Sequence, residues 1–199
     1  MSVPQGPLRR FLRKFIHFFS YHLFLTRKGG RVVKAGGFQL HVRPTVFHPR
    51  IFLTSEFFAH FISGLDLHGM QVVDVGTGTG ILALAAARAG AVKVVALDIN
   101  PAAVEAAQEN ARINGVGDRV IAMVSDLLSA VPRERVFNVI ISSPPSFPGE
   151  PRDIADRAWH AVGALITAAD FRVRAVAHRS IFIETFTVYE LRAASSPTE

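Results

Sequence analysis

The chain contains no cysteine among its 199 residues. Disulfides, thiolate metal sites and cysteine nucleophiles are excluded, and the composition fits a reducing compartment. Its eight histidines nowhere stand as a pair at i and i+4 beside an acid, so no metal is expected. No apolar run reaches the ~20 residues that a membrane-spanning helix needs. Internal repeats and low-complexity tracts are absent too. Charged residues make up only 19% against 49% hydrophobic. That balance excludes a largely disordered chain and is enough for the core of one domain.

The charge that is present leans one way. Lysine and arginine number 22 against 16 acids, for a net charge of +6, and the sequence pI is about 10.5. Such a balance favours anionic partners, and much of the excess sits in "LRRFLRKFIHFFSYHLFLTRKGGR". On a helical wheel Arg9, Arg10, Arg13, Lys14 and His17 share one face, and Leu8, Phe11, Leu12, Phe15, Phe18 and Phe19 fill the other. Residues 1–36 therefore read as a basic amphipathic extension. It has three open roles: a helix packed on its own domain, a peripheral membrane contact through residues 8–25, or an arm that holds RNA. No A-x-A-like cleavage site follows the apolar stretch, as a secretory leader would require. The expected location is the cytoplasm, with or without membrane attachment.

From residue 37 to 192 the pattern is that of one domain. Phe38 to Val42 alternates like a short strand, and Pro44 and Pro49 mark a turn. Thr54 or Ser55 can cap a helix through Phe57, Phe58, Phe61 and Ile62. Strands are expected at Gln71–Val75, Val92–Leu97, Val120–Val124 and Phe137–Ser142. Helices are expected at Ile81–Ala89 and from Pro101 to Asn114, where Gly115 is a stop signal. Strands separated by single helices imply a parallel sheet.

Between the first of these strands and its helix runs "VVDVGTGTGILALAAARAGA". A dinucleotide fingerprint, G-x-G-x-x-G, would put its third glycine at Ile81, and a P-loop would need a Lys-Ser or Lys-Thr pair. Both phosphate-binding readings fail on spacing. Asp74 precedes the turn, where it would repel a pyrophosphate but could accept hydrogen bonds from a cationic ligand or organise the loop. Asp98 ends the second strand, where a carboxylate can take both ribose hydroxyls. Asp126 ends the third, with Leu127 beside it, suited to an adenine amino group and ring face. The ligand reads as an adenosine without phosphate and with a positively charged tail.

"VVDVGTGTG", "ALDINPAAVEAAQENARINGV", "SDLL" and "NVIISSPP", in that order and spacing, resemble class I S-adenosylmethionine-dependent methyltransferases over Phe38 to Phe147. The resemblance implies a Rossmann-like α/β sheet with helices on both faces and S-adenosylmethionine as cofactor. It implies that Gly76, Gly78 and Gly80 let the backbone approach the methionine part, with Asp74 also among the cofactor-binding positions. Asp98 would bind the ribose, Ile99 is a further cofactor-binding position, and Asp126 with Leu127 would face the adenine. The upstream "VRPTVFHPRIFLTSEFF" is similar to the entry segment of release-factor glutamine methyltransferases. By that analogy Pro49, Arg50, Thr54 and Glu56 correspond, and Thr54 would lie near the methionine end.

At the end of the fourth strand "SSPPSF" resembles the [N/D]-P-P-[Y/F] motif of methyltransferases that act on nitrogen. Ser143, Pro144 and Pro145 are the implied catalytic positions, with Ser143 also near the cofactor. Ser146 and Phe147 are the implied substrate contacts. The chain departs from the motif, since Ser143 replaces Asn or Asp and Ser146 stands in the aromatic place. Beyond it, one helix to about Asp170 and strands at Phe171–Ala177 and Ile181–Tyr189 leave one strand–helix unit lacking after the fourth strand. Residues 193–199 read as a disordered tail. The implied activity is methyl transfer to a nitrogen of RNA, DNA or protein, with the macromolecular acceptor unspecified. A cofactor-binding protein without turnover and a nicotinamide-dependent oxidoreductase are the alternatives.

Overall fold

The computed structural model describes residues 30–46, 53–132 and 136–143, and the backbone of 171–181 and 184–193. The expected N-terminal helix, Pro144, Pro145, Ser146, Phe147, the helix ending near Asp170 and residues 194–199 lie outside the described residues. Two compact units divide the chain: Lys28–Leu165, and a second that contains the C-terminal strands.

The first unit holds strands β1 (Arg31–Ala35), β2 (Phe38–Val42), β3 (Gln71–Val75), β4 (Lys93–Asp98), β5 (Val120–Val124) and β6 (Val139–Ser142), with helices α1 (Leu53–Ser63), α2 (Ile81–Arg88) and α3 (Pro101–Ile113). Four strands form a parallel sheet in the order β5-β4-β3-β6. The central strands read as unbroken apolar runs because both faces are covered. Val72, Val94, Ala96, Val120 and Ile141 face a core shared with the three helices. Val73, Val75, Val95 and Leu97 point the other way, onto Leu127, Leu128, Val131 and Phe137. The described helices all pack on the first face; the helix expected on the second lies outside the described residues.

Helix α1 begins at Leu53, so Thr54 and Ser55 occupy its first turn and do not cap it. First-turn amides have no intrahelical acceptor, and short hydroxyl side chains are tolerated there. Helix α3 starts with a stronger signal. Asn100 Oδ1 accepts from Ala102 N (3.0 Å) and Pro101 takes the first helical position, where its missing N–H costs nothing.

Strand β1 was not expected. It pairs antiparallel with β2 through a two-residue Gly36-Gly37 turn with φ of 57° and 77°, the geometry that suits a right-twisted hairpin. The boundary drawn at 36/37 thus falls on a turn. The outer edge of β2 is met by side chains of α3. Asn110 Oδ1 accepts from His41 N (2.6 Å) and its Nδ2 donates to His41 O (3.0 Å). Asn114 repeats the pattern on Gln39, at 3.1 and 2.8 Å. Two residues of strand advance ~6.8 Å and four of helix ~6 Å, so amides at i and i+4 match alternate strand residues. Arg43 adds ion pairs to Glu105 and Glu109.

In the second unit, β7 (Phe171–Ile181) and β8 (Glu184–Ala193) pair antiparallel, with a register shift between Ala175 and Ala177. The first strand runs four residues beyond the expected Ala177 and takes in Ile181, which was expected to open the second; that strand starts at Glu184 and continues to Ala193.

Asn110 is fully buried and also donates to Thr79 O (2.9 Å). Asn110→Ala leaves three backbone groups short of a partner. It is expected to destabilise the protein by about 2–4 kcal/mol, read from the urea midpoint. Asn114→Ala, at a more exposed position, should cost less than half as much.

Candidate functional site

The chain runs from β3 outward to β4 and β5, then returns to place β6 on the other side of β3. Ligands of open α/β sheets bind beyond the carboxyl ends of the strands at such a reversal. In-phase parallel pairing sets Val75 beside Leu97 and Ser142, and Asp98 beside Val124. The loops after β3, β4 and β5, and the end of β6 at Ser143, therefore lie at one end of the sheet.

The turn after β3 is tied to β4. Gly76 N and Thr77 N both donate to Leu97 O, at 2.8 and 2.9 Å, and Gly80 N closes the turn on Thr77 O at 2.8 Å. Gly76, Gly78 and Gly80 have φ of 75°, 54° and 82°, where a side chain is strained. Two of them differ in surroundings. A Cβ on Gly76 would meet nothing within 4 Å, whereas one on Gly80 would stand 3.0 Å from Ala107 Cα and Cβ. Gly76 thus borders open space. The bare face of Gly80 admits α3 to the start of α2.

Asp74 has no exposed surface. Its Oδ2 accepts from Thr77 Oγ1 at 2.6 Å, and its Oδ1 has no hydrogen-bond partner. Burial, opposed by the Thr77 hydrogen bond and reinforced by the charge of Asp98, pushes its pKa from 3.8 to about 7. Of its two expected roles, loop organiser is the one its geometry serves. A direct ligand contact would require the loop to open.

Asp98 is nearly buried. Its Oδ2 accepts from Gly78 N and its Oδ1 from Asn100 N, both at 2.9 Å. Burial raises its pKa, and these amide hydrogen bonds oppose the rise. A carboxylate has about four lone-pair sites, so Asp98, which also takes a contribution from the Ile99 amide, keeps accepting capacity for a ligand hydroxyl. Ile99 beside it is half-buried.

After β5, Ser125 is buried and its Oγ donates to Leu127 O (2.8 Å) and accepts from Ala130 N (3.1 Å). These bonds hold Leu127 at φ 53°, an uncommon conformation for a side chain of this size. Asp126 is exposed, and Ser129 N bonds its carbonyl at 3.1 Å. At the end of β6, Ser143 is half-buried, next to Ser142, whose Oγ donates to Val75 O (2.9 Å). Thr54 lies in α1, and its side-chain surroundings lie outside the description. The sequence reading missed Thr77, Asn100 and Ser125. Asn100 was findable, since an Asn-Pro pair before an apolar-periodic run is a cap followed by a first-position proline.

The two glycines separate in a stability measurement. Gly76→Ala is expected to cost ~1 kcal/mol from its left-handed φ alone. Gly80→Ala adds the overlap with Ala107 and should cost ~3 kcal/mol. Asp74 predicts a pH dependence. Folded, it keeps its proton to about pH 7, while the unfolded chain loses it near 3.8. The folded state therefore binds more protons in that window, and this group's contribution falls as pH rises from about 4 to 7, then levels. Between pH 5 and 7 the loss is roughly 2–3 kcal/mol. Asp74→Asn should flatten it in denaturation curves across that range.

The family model of the ribosomal protein L11 methyltransferases (PrmA) matches residues 54–143, which include the turn after β3, Asp98 and β6. A ribosomal protein L11 methyltransferase of Salmonella newport is 39% identical over 92 residues, 46% of this chain and 31% of that protein. The match thus spans less than a third of the curated relative. A tRNA m1G37 methyltransferase of M. jannaschii shares the fold, with a TM-score of 0.57 at 22% identity over 86% of this chain and 58% of that one. The release-factor relation expected from the entry segment rests on the sequence pattern alone. Residues 54–143 are thus similar in sequence to ribosomal protein L11 methyltransferases, and the chain shares its fold with a solved methyltransferase structure.

Proposed function

We propose that this chain binds S-adenosylmethionine and directs its methyl group to a nitrogen of a ribosomal protein. One observation carries the reading: Asp98, nearly buried and fixed by two backbone amides, stands beside a glycine turn with open space over Gly76. A fixed carboxylate suits the two hydroxyls of a ribose. The spacing of the turn, which fits neither phosphate-binding pattern, suits a tail without phosphate. The L11 methyltransferase relative supports a protein acceptor.

When bound, the cofactor supplies an electrophilic methyl on a sulfonium. That methyl would pass to an acceptor nitrogen, with the C–S pair staying on sulfur and the nitrogen's proton going to solvent. Such a transfer depends mainly on positioning. On this reading Gly76 and Asp98 hold the two ends of the cofactor, and Leu127 offers an apolar surface to the adenine. Ser143, across the strand reversal from Gly76, bounds the acceptor side.

Calorimetric titration with S-adenosylhomocysteine is the test. Binding is expected, and Asp98→Ala should weaken it ~10-fold or more, matching ~1.4 kcal/mol for a lost charged hydrogen-bond pair. Labelled methyl should pass from S-adenosylmethionine to isolated L11. No binding by a folded chain would overturn the reading. Binding without transfer would leave a cofactor-binding protein.

A further inference from the structure

The segment after β2 carries an unusual residue. Arg43-Pro44-Thr45-Val46 is a turn closed by Val46 N on Arg43 O at 3.2 Å. Thr45 sits at its third position with φ 67°. Proline second and a positive φ third describe a type II turn, whose third position calls for glycine or asparagine. A β-branched residue there is strained. Such strain persists only where the surroundings impose it, and it clusters at functional sites.

The surroundings here come from α3. On one side Arg43 pairs with Glu105 and Glu109. On the other, Val46 is buried against Ala103 and Ala106. Between them Asn100 Nδ2 donates to Thr45 O (3.2 Å) and reaches Thr45 Oγ1 (3.4 Å). The same residue's backbone N–H donates to Asp98 Oδ1 (2.9 Å), and its Oδ1 caps α3. One asparagine therefore fastens the strained turn, the helix start and the site carboxylate. Thr45 is exposed. With Asn100 as donor to its oxygen, its own O–H is left to donate.

We propose that Asn100 and Thr45 are positioning residues of the cofactor site, holding the turn after β2 beside Asp98 so that the Thr45 hydroxyl meets the ribose end of the bound adenosine. This rests on the cofactor reading above. A turn that served only to connect β2 with α1 would do better with glycine, which removes the strain.

The experiment compares wild type, Thr45→Gly, Thr45→Ser and Asp98→Ala for melting temperature and for calorimetric affinity toward S-adenosylhomocysteine. Thr45→Gly is expected to melt about 2–4 °C higher, yet to bind roughly 3–10-fold more weakly. Thr45→Ser, which keeps the hydroxyl, should bind like wild type. A purely structural role would move stability and leave affinity alone. Unchanged or tighter binding by Thr45→Gly overturns the proposal, as does weakened binding by Thr45→Ser equal to that of glycine. A folded wild type that does not bind overturns the cofactor reading and this inference with it. Binding that only Asp98→Ala weakens retains the former and removes the latter.

Discussion

The buried amide of Asn110 is the interaction on which the first unit depends. Its oxygen and both amide protons are engaged, with His41 N, His41 O and Thr79 O. These groups lie in two places, the outer edge of β2 and the loop after β3, and the amide ties both to α3. A buried polar group of this kind is costly unless satisfied. Satisfied on three sides, it allows little freedom in how the hairpin, the glycine turn and the helix meet. The glycine at position 80 makes that meeting possible, because α3 approaches where a side chain would stand.

Helix α3 then serves three purposes along its length. At its start, Asn100 caps it and holds both Asp98 and Thr45. In the middle, Glu105 and Glu109 anchor Arg43, and Glu109 also pairs with His41. That His41 contact, with Arg43, keeps the Glu109 carboxyl below its usual range. Near its end, Asn110 and Asn114 complete the strand edge. Packing alone would fix how far the helix lies from the sheet. The directional bonds also fix its register along β2, and so the position of the turn that follows.

Two acids lie at the mouth of the sheet with opposite duties. Asp74 is sealed under the glycine turn, and burial drives its carboxyl toward the neutral form. Asp98 is nearly as buried, but two amides stabilise its charge against the same penalty. The difference is one of hydrogen-bond supply, since both carboxylates lose water. It leaves Asp98 equipped to accept from a ligand and Asp74 equipped to shape the loop.

The sequence by itself determined the parallel alternation of strands and helices, because unbroken apolar runs and 3.6-residue periods leave little choice of element. It also marked Asp98 and the glycine turn, whose spacing excludes a phosphate. Strand β1 was hidden, since Arg31, Val32 and Lys34 are exposed and the strand owes its pairing to a hairpin turn and to β2. Only tertiary structure separated Gly76 from Gly80, as the space above each depends on residues such as Ala107, far along the chain. It alone decided that Asp74 faces inward and that Thr45 is strained. A carboxylate's neighbours and a turn's anchors are contacts between distant segments, and a local pattern of residues does not encode which of them will meet.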